Sequence, residues 1–166
     1  SDGLSKVITT LNKYNINPTF FINGEFIKRY PSETKQISIY NFDCASMFFS
    51  AIDLTDNAFV IDEDFIRRGL ARNEDEFYQI TKKELSLFWH TPFFVKNQMI
   101  LSAGEKTGYI YVDIPEELLQ LQTNSANDDI EDLLSKYINC VKENNAIVLP
   151  IQIGYSSKKK KNLLYQ

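Results

Sequence analysis

Histidine is nearly missing from this sequence: His90 is the single imidazole among 166 residues. That excludes, within the chain, a zinc site built on two or three imidazoles, and any mechanism that pairs a metal-ligand histidine with a separate acid/base histidine. Cysteine is almost as scarce. Cys44 and Cys140 are too few and too far apart for a disulfide framework or a CxxC site, and read as free or buried thiols that leave the redox compartment open. No apolar run approaches the ~20 residues of a membrane span. The start, Ser1-Asp2-Gly3, lacks the charged and apolar regions of a signal peptide, as a processed or trimmed chain would. Basic charge is short as well. Lys and Arg number 18 against 22 Asp and Glu, for a net charge of -4, and a surface that tracks phosphates needs the opposite balance. Nucleic acid is therefore not an expected partner. Six Gly and five Pro exclude collagen-like and low-complexity classes.

What is present is apolar bulk. The chain is 43% hydrophobic, with twelve Phe and nine Tyr, more than a disordered chain carries. Its length suits one globular core. The one basic run, Lys158-Lys159-Lys160-Lys161, reads either as a solvated tail over 156–166 or as a weak contact for anionic polymer or lipid headgroups.

Periodicity places the elements. Leu4, Val7, Ile8 and Leu11 recur as one face of a helix that Asn12, Asn15 and Asn17-Pro18 break. A strand is expected at Thr19 to Ile22, a short helix from Glu25 to Tyr30, a turn or two of helix over Ser32 to Gln36, and a strand at Ile37 to Tyr40. From Glu63 to Leu85 the pattern is helical, capped by Asp62, with Phe65, Ile66, Leu70, Phe77 and Ile80 inward. Leu85 to Trp89 reads as a strand, Val95 to Glu105 as a helix, and Tyr109 to Val112 as a strand. A helix over Asp128 to Asn144 and a strand at Ala146 to Leu149 follow. Alternating strands and helices argue an α/β fold with a largely parallel sheet or barrel.

Chemistry in such folds collects at the C-terminal ends of the strands. Those ends are Asn23-Gly24, Phe42 to Ser46, Trp89 to Phe94, Asp113 and Pro150 to Gln152. His90 stands there beside Pro92 and three aromatics, either as a functional group or as an imidazole that simply bonds a neighbouring loop.

These segments, in this order, resemble the NodB-homology domain of polysaccharide deacetylases, carbohydrate esterase family four. Leu4 to Gly24 is similar to the family's helix, "K-Y-N-V" turn and "A-T-F-F-V-x-G" strand; Phe26 to Pro31 to its next helix; Ser50 to Thr55 to "S-H-P-D-L-T"; Trp89 to Phe94 to "F-R-P-P-Y-G". Gly108-Tyr109 and Val112-Asp113 match the strand after it. The resemblance implies a deformed (β/α) barrel of the NodB, glycoside hydrolase/deacetylase type. It extends over residues 1–155, with the first strand, which should precede Asp2, missing from this chain as in a trimmed fragment or a larger parent protein.

The family's catalytic motifs are where the sequence departs. Against "T-F-D-D-G", Ser1 takes the place of the general base and Asp2 that of a metal ligand. Against "H-x-x-x-H", the two metal imidazoles become Met47 and Ala51, neither of which holds a hard divalent ion. His90 replaces the Arg that supports the catalytic Asp; losing both partners avoids an unpaired charge in a cleft. Ile151 replaces the general-acid His of "L-x-H", and only the backbone amide of Phe93, matching the family's oxyanion donor, remains.

The expected function is thus a polysaccharide deacetylase-like domain without its metal ligands and general acid/base, a pseudoenzyme that binds or senses carbohydrate. The expected groove is Asp2, Trp89, His90, Phe93 and Phe94, although the same aromatics equally suit a core. Asp2, Met47, Ala51, His90 and Phe93 should line one concavity. No cofactor is expected. Two alternatives stay open: a divergent deacetylase hydrolysing non-peptide C–N bonds, with a zinc-type divalent metal in a rearranged site, and a structural or partner-binding scaffold. The implied partner is an acetylated glycan or cell-wall polysaccharide, and the implied location is extracytoplasmic or secreted, by resemblance alone.

Overall fold

The computed structural model describes residues 2–40 and 42–113, the side chains of Asp2 and Gly3 excepted. The expected helix over Asp128 to Asn144, the strand at Ala146 to Leu149, Cys140, Ile151, Ser1 and the Lys158 to Lys161 run lie outside the described residues. The described residues fall into two units, one holding residues 2–17 and the other residues 18–113.

In the first unit, helix α1 (Asp2–Lys13) buries the predicted stripe: Leu4, Val7, Ile8 and Leu11 are each at most 4% exposed. Asn15 closes it in the left-handed region, at φ 54°, a conformation Asn tolerates better than most residues.

The second unit is built on a parallel sheet. It runs β1 (Thr19–Ile22), α2 (Gly24–Arg29), α3 (Pro31–Ile39), β2 (Asp43–Ser46), α4 (Glu63–Thr81), β3 (Phe88–Trp89), a 3-10 turn (Pro92–Phe94), α5 (Gln98–Lys106) and β4 (Ile110–Tyr111). The strands lie in the order β1-β2-β3-β4, all neighbours parallel. Helix stands between each strand and the next, as parallel βαβ crossovers require. The order is that of a (β/α) barrel wall.

One predicted strand is wrong. Ile37 and Ser38 continue α3, which runs to Ile39, and the strand is Asp43–Ser46, read from sequence as a strand end. Pro31 at the first helical position starts α3, and Thr34, Ile37 and Ser38 are buried at helical spacing. The apolar alternation in Ile37 to Tyr40 was a helix face, with Ile39 left 70% exposed.

Other boundaries move for local reasons. Helix α4 stops at Thr81 instead of Leu85, because Lys82 turns left-handed at φ 58° and donates its N–H to the Tyr78 carbonyl. The Asp62 cap stands, its carboxylate accepting from the Phe65 N–H at 2.7 Å. Helix α5 starts at Gln98, not Val95, because the Asn97 side chain caps it through the Ile100 N–H. Strand pairing of Leu85 to Trp89 reduces to Phe88–Trp89, and of Tyr109 to Val112 to Ile110–Tyr111.

Phe48, Leu54, Ile66, Leu70, Trp89, Ile100, Ala103 and Tyr109 form the core between the sheet and α4 and α5. Two close approaches need glycine there. A Cβ on Gly104 would meet the Trp89 ring at 2.6 Å, and one on Gly69 would meet the Phe48 ring at 2.1 Å. The two largest core side chains therefore lie directly on helix backbone.

Candidate functional site

The register aligns Ile22, Ser46, Trp89 and Tyr111, the last residue of each strand, in one row across the sheet. Side chains alternate along a strand, so the next residues, Asn23, Met47, His90 and Val112, turn toward the opposite face. Met47, half-buried, follows β2, and His90 follows β3. Their N–H groups extend the ladder, Met47 to the Ile22 carbonyl at 3.0 Å and His90 to the Ser46 carbonyl at 3.1 Å. These two predicted site residues therefore share one end of the sheet.

His90 is 3% exposed. Its ring lies 4.3 Å from the Phe21 ring, across the intervening strand where the small Ala45 leaves room, and stacks on Phe94 at 5.2 Å. Nδ1 is 2.9 Å from the Thr91 carbonyl oxygen. A carbonyl only accepts, so Nδ1 carries the proton and Nε2 the lone pair. Burial holds the pKa below the ordinary histidine value, only partly offset by that hydrogen bond. The imidazole is neutral at pH 7, wrapped by two phenylalanines, and cannot serve as the cation that a guanidinium would be.

The loop after His90 is strained. Phe93 and Phe94 both adopt left-handed conformations, at φ 57° and 60°, which cost bulky residues roughly 1 kcal/mol or more each. Thr91, fully buried, holds the loop from inside: its hydroxyl donates to the Val95 carbonyl and lies 3.2 Å from the Tyr111 hydroxyl. Phe93 comes out 65% exposed.

Trp89 is not a groove residue. It is fully buried, packed edge-on against Tyr111 at 5.4 Å and close against Gly104, because its place in the register turns it to the helix side of the sheet. Ala51 is exposed in the loop after β2, where Asp53 accepts from both the N–H and the hydroxyl of Thr55, bonds that hold its carboxyl below the usual range. Asp2 opens α1.

Sequence reasoning missed Asn73. It is fully buried on α4, and its Nδ2 donates to the Ile22 carbonyl at 2.9 Å and the Ser46 hydroxyl at 2.8 Å, tying together the ends of β1 and β2. Ser46 Oγ also accepts from the Phe48 N–H, itself in a left-handed residue at φ 63°. The signal was there: Asn73 continues the stripe of Ile66 and Leu70 at the next helical step, and a polar residue on a buried stripe must have a partner. Its Oδ1 has none among the described residues.

As a metal centre these positions do not fit. A thioether at Met47 and a methyl at Ala51 offer no ligand to a hard divalent ion, and among the described residues no group of three His, Cys, Asp or Glu comes together. No helix among them is long and apolar enough to cross a membrane.

The fold is one already seen. A carbohydrate esterase family 4 pseudoenzyme from Bacillus anthracis superposes with TM-score 0.66 at 14% identity, covering 89% of this chain and 58% of that one. The family 4 carbohydrate esterase PdaA of Bacillus subtilis superposes with TM-score 0.58 at 30% identity, over 65% of this chain and 44% of that chain. In sequence, the B. subtilis peptidoglycan-N-acetylmuramic acid deacetylase PdaA is 30% identical over 104 residues, 63% of this chain. The chain spans 38% of that relative's length. The polysaccharide deacetylase model matches residues 1–112. Helix, strand order, strand-end loops and sequence agree, and the chain belongs to the polysaccharide deacetylase family.

Proposed function

We propose that this domain binds glycan without deacetylating it. The observation that carries the reading is the side-chain chemistry at the strand ends: Met47 and Ala51 where the family's motif has imidazoles, and a buried, neutral His90 where it has a guanidinium. A metal hydrolase needs an ion to lower the pKa of a water by many units and polarise the acyl oxygen. Each missing general acid or base costs a further 10²–10⁴-fold or so. The Phe93 amide alone does not sustain hydrolysis.

What supports retained binding is Phe93. Phe93 is 65% exposed on a strained backbone, so it buries little of its ring in the described fold, and strain of this kind collects at ligand sites. Its face suits the C–H face of a sugar. The relatives' chemistry points to an acetylated cell-wall polysaccharide, PdaA being named for peptidoglycan. The solved B. anthracis relative named a pseudoenzyme gives a family precedent.

The test has two arms. Elemental analysis of dialysed protein is expected to find no stoichiometric zinc, cobalt or nickel; about one equivalent, lost on Asp2→Ala, would overturn the reading in favour of a divergent deacetylase. Titration with acetylated chitooligosaccharides and peptidoglycan fragments is expected to show binding that Phe93→Ala weakens by about 1–3 kcal/mol. A folded parent that binds none of them leaves a scaffold.

A further inference from the structure

We propose a second binding site, for the carboxylate or phosphate groups of an acidic polysaccharide, in the open depression between α2, α4 and the loop after β2. Glu25, Lys28, Arg29, Phe49 and Arg72 line it, around about 510 Å³ of space open to solvent. Three of the five are cations, in a chain whose net charge is -4.

The floor is rigid. Phe49 is 9% exposed, and its ring lies against Gly24, where a Cβ would come within 2.2 Å of it. The Glu25 N–H donates to the Phe49 carbonyl at 3.1 Å and the Gly24 N–H to that of Phe48 at 3.3 Å. On this ring stands Arg72, its guanidinium carbon 3.8 Å from the ring centroid. Stacking orients the guanidinium plane and leaves its N–H edge for an acceptor, so the fork is organised before a ligand arrives. The neighbouring arginines of α4 are used differently: Arg67 and Arg68 both pair with Asp64.

Lys28 is held only loosely. Its contact to Glu76 is 3.6 Å, between side chains 52% and 26% exposed, longer than a charge-assisted hydrogen bond and worth little at a surface. It can turn to a ligand, and Arg29 adds a third charge beside it. A guanidinium fork with two exposed cations beside it matches an oxyanion with two or three acceptors. A nucleic acid presents a continuous ladder of phosphates and calls for a basic stripe, which a single cluster in an acidic chain is not. A glycan bearing scattered anionic groups fits it better.

The proposal shares with the groove reading only the premise of a glycan ligand, and the two sites have no residue in common. The full chain is titrated at low salt with polygalacturonate, a poly(glycerol phosphate) teichoic acid, neutral chitooligosaccharide and single-stranded RNA. Polygalacturonate, teichoic acid or both should bind and release at high salt, the pair of arms telling carboxylate from phosphate. Arg29→Gln with Arg72→Gln should weaken that binding about tenfold or more, the scale of one charge-assisted contact pair. Neutral oligosaccharide should be unaffected by this change and sensitive only to Phe93→Ala. Arg72→Lys, which keeps the charge and loses the fork, should fall between, with circular dichroism confirming the fold. The proposal is overturned if acidic polymers bind no tighter than neutral ones, if replacing Lys158 to Lys161 by Gln removes the binding instead, or if RNA competes on equal terms through the same arginines.

Discussion

Trp89 and His90 are consecutive residues, and they end on opposite faces of the same sheet with opposite fates. Trp89 turns to the helix side, loses all its exposure and lies on Gly104. His90 turns to the other side and begins a loop in which two phenylalanines carry positive φ and one stands 65% exposed. Behind the sheet, side chains, close backbone approaches and the Asn73 bonds agree with one another. In front of it, a half-buried thioether at Met47 and a buried imidazole at His90 follow the strands, and the backbone is strained. The contrast teaches that the scaffold and the chemistry are separable: packing on one face holds the strand ends in place whatever those ends contain.

The tightness of the helix side is tested most directly at Trp89. Trp89→Ala should destabilise the domain by about 3–5 kcal/mol, the cost of a cavity in a packed core, read as a shift in urea midpoint at unchanged slope. A loss under 1 kcal/mol or so would mean that the helix side is not the tight face.

The opposite face is tested through the pH response of His90. Burial depresses its folded pKa below the unfolded value, so its share of stability is present in full above the unfolded pKa of about 6.5 and is lost as pH falls toward the folded value. In that window the unfolded chain binds one more proton, and stability should fall by up to about 1.4 kcal/mol per pH unit. His90→Asn should flatten this slope relative to the parent, the carboxylates being common to both. As the single histidine, its ring resonances report the folded pKa directly by NMR; a value at or above 6.5 contradicts the buried, neutral ring.

The smallest effect is expected at Phe93. Phe93→Gly relieves a left-handed bulky residue that buries little, so stability should stay level or rise by about 1 kcal/mol while glycan binding falls. A loss of several kcal/mol would make Phe93 a packing residue like Trp89 and erase the difference between the faces.

Helices whose apolar residues recur every three or four positions were legible in the sequence, because a helix face is a local property: the α1 stripe and the Asp62 cap needed only neighbours in the chain. The error at Ile37 to Tyr40 has the same origin, since four residues at alternate polarity fit a strand and a helix end alike, and the burial of Thr34, Ile37 and Ser38 together decides for helix. Family and barrel wall were legible from the order of motifs. Which side of the sheet each aromatic takes was not. Trp89 and Phe93 are interchangeable as exposed rings on paper, and register alone, Ser46 against Trp89 against Tyr111, assigns one to the core.

By itself, then, the sequence determined the α/β alternation, the caps, and the chemistry that is possible, because residue type sets which atoms can donate, accept or ligate. A chain with one imidazole has no second to offer, however it folds. Only the tertiary structure decided that Asn73 joins two strand ends, that His90 is enclosed between Phe21 and Phe94, and that Arg72 meets Phe49. Asn73 stands 51 positions from Ile22 in the chain, and a contact across that distance exists only once parallel strands are paired and the helices that connect them are laid on the sheet, which no local pattern encodes.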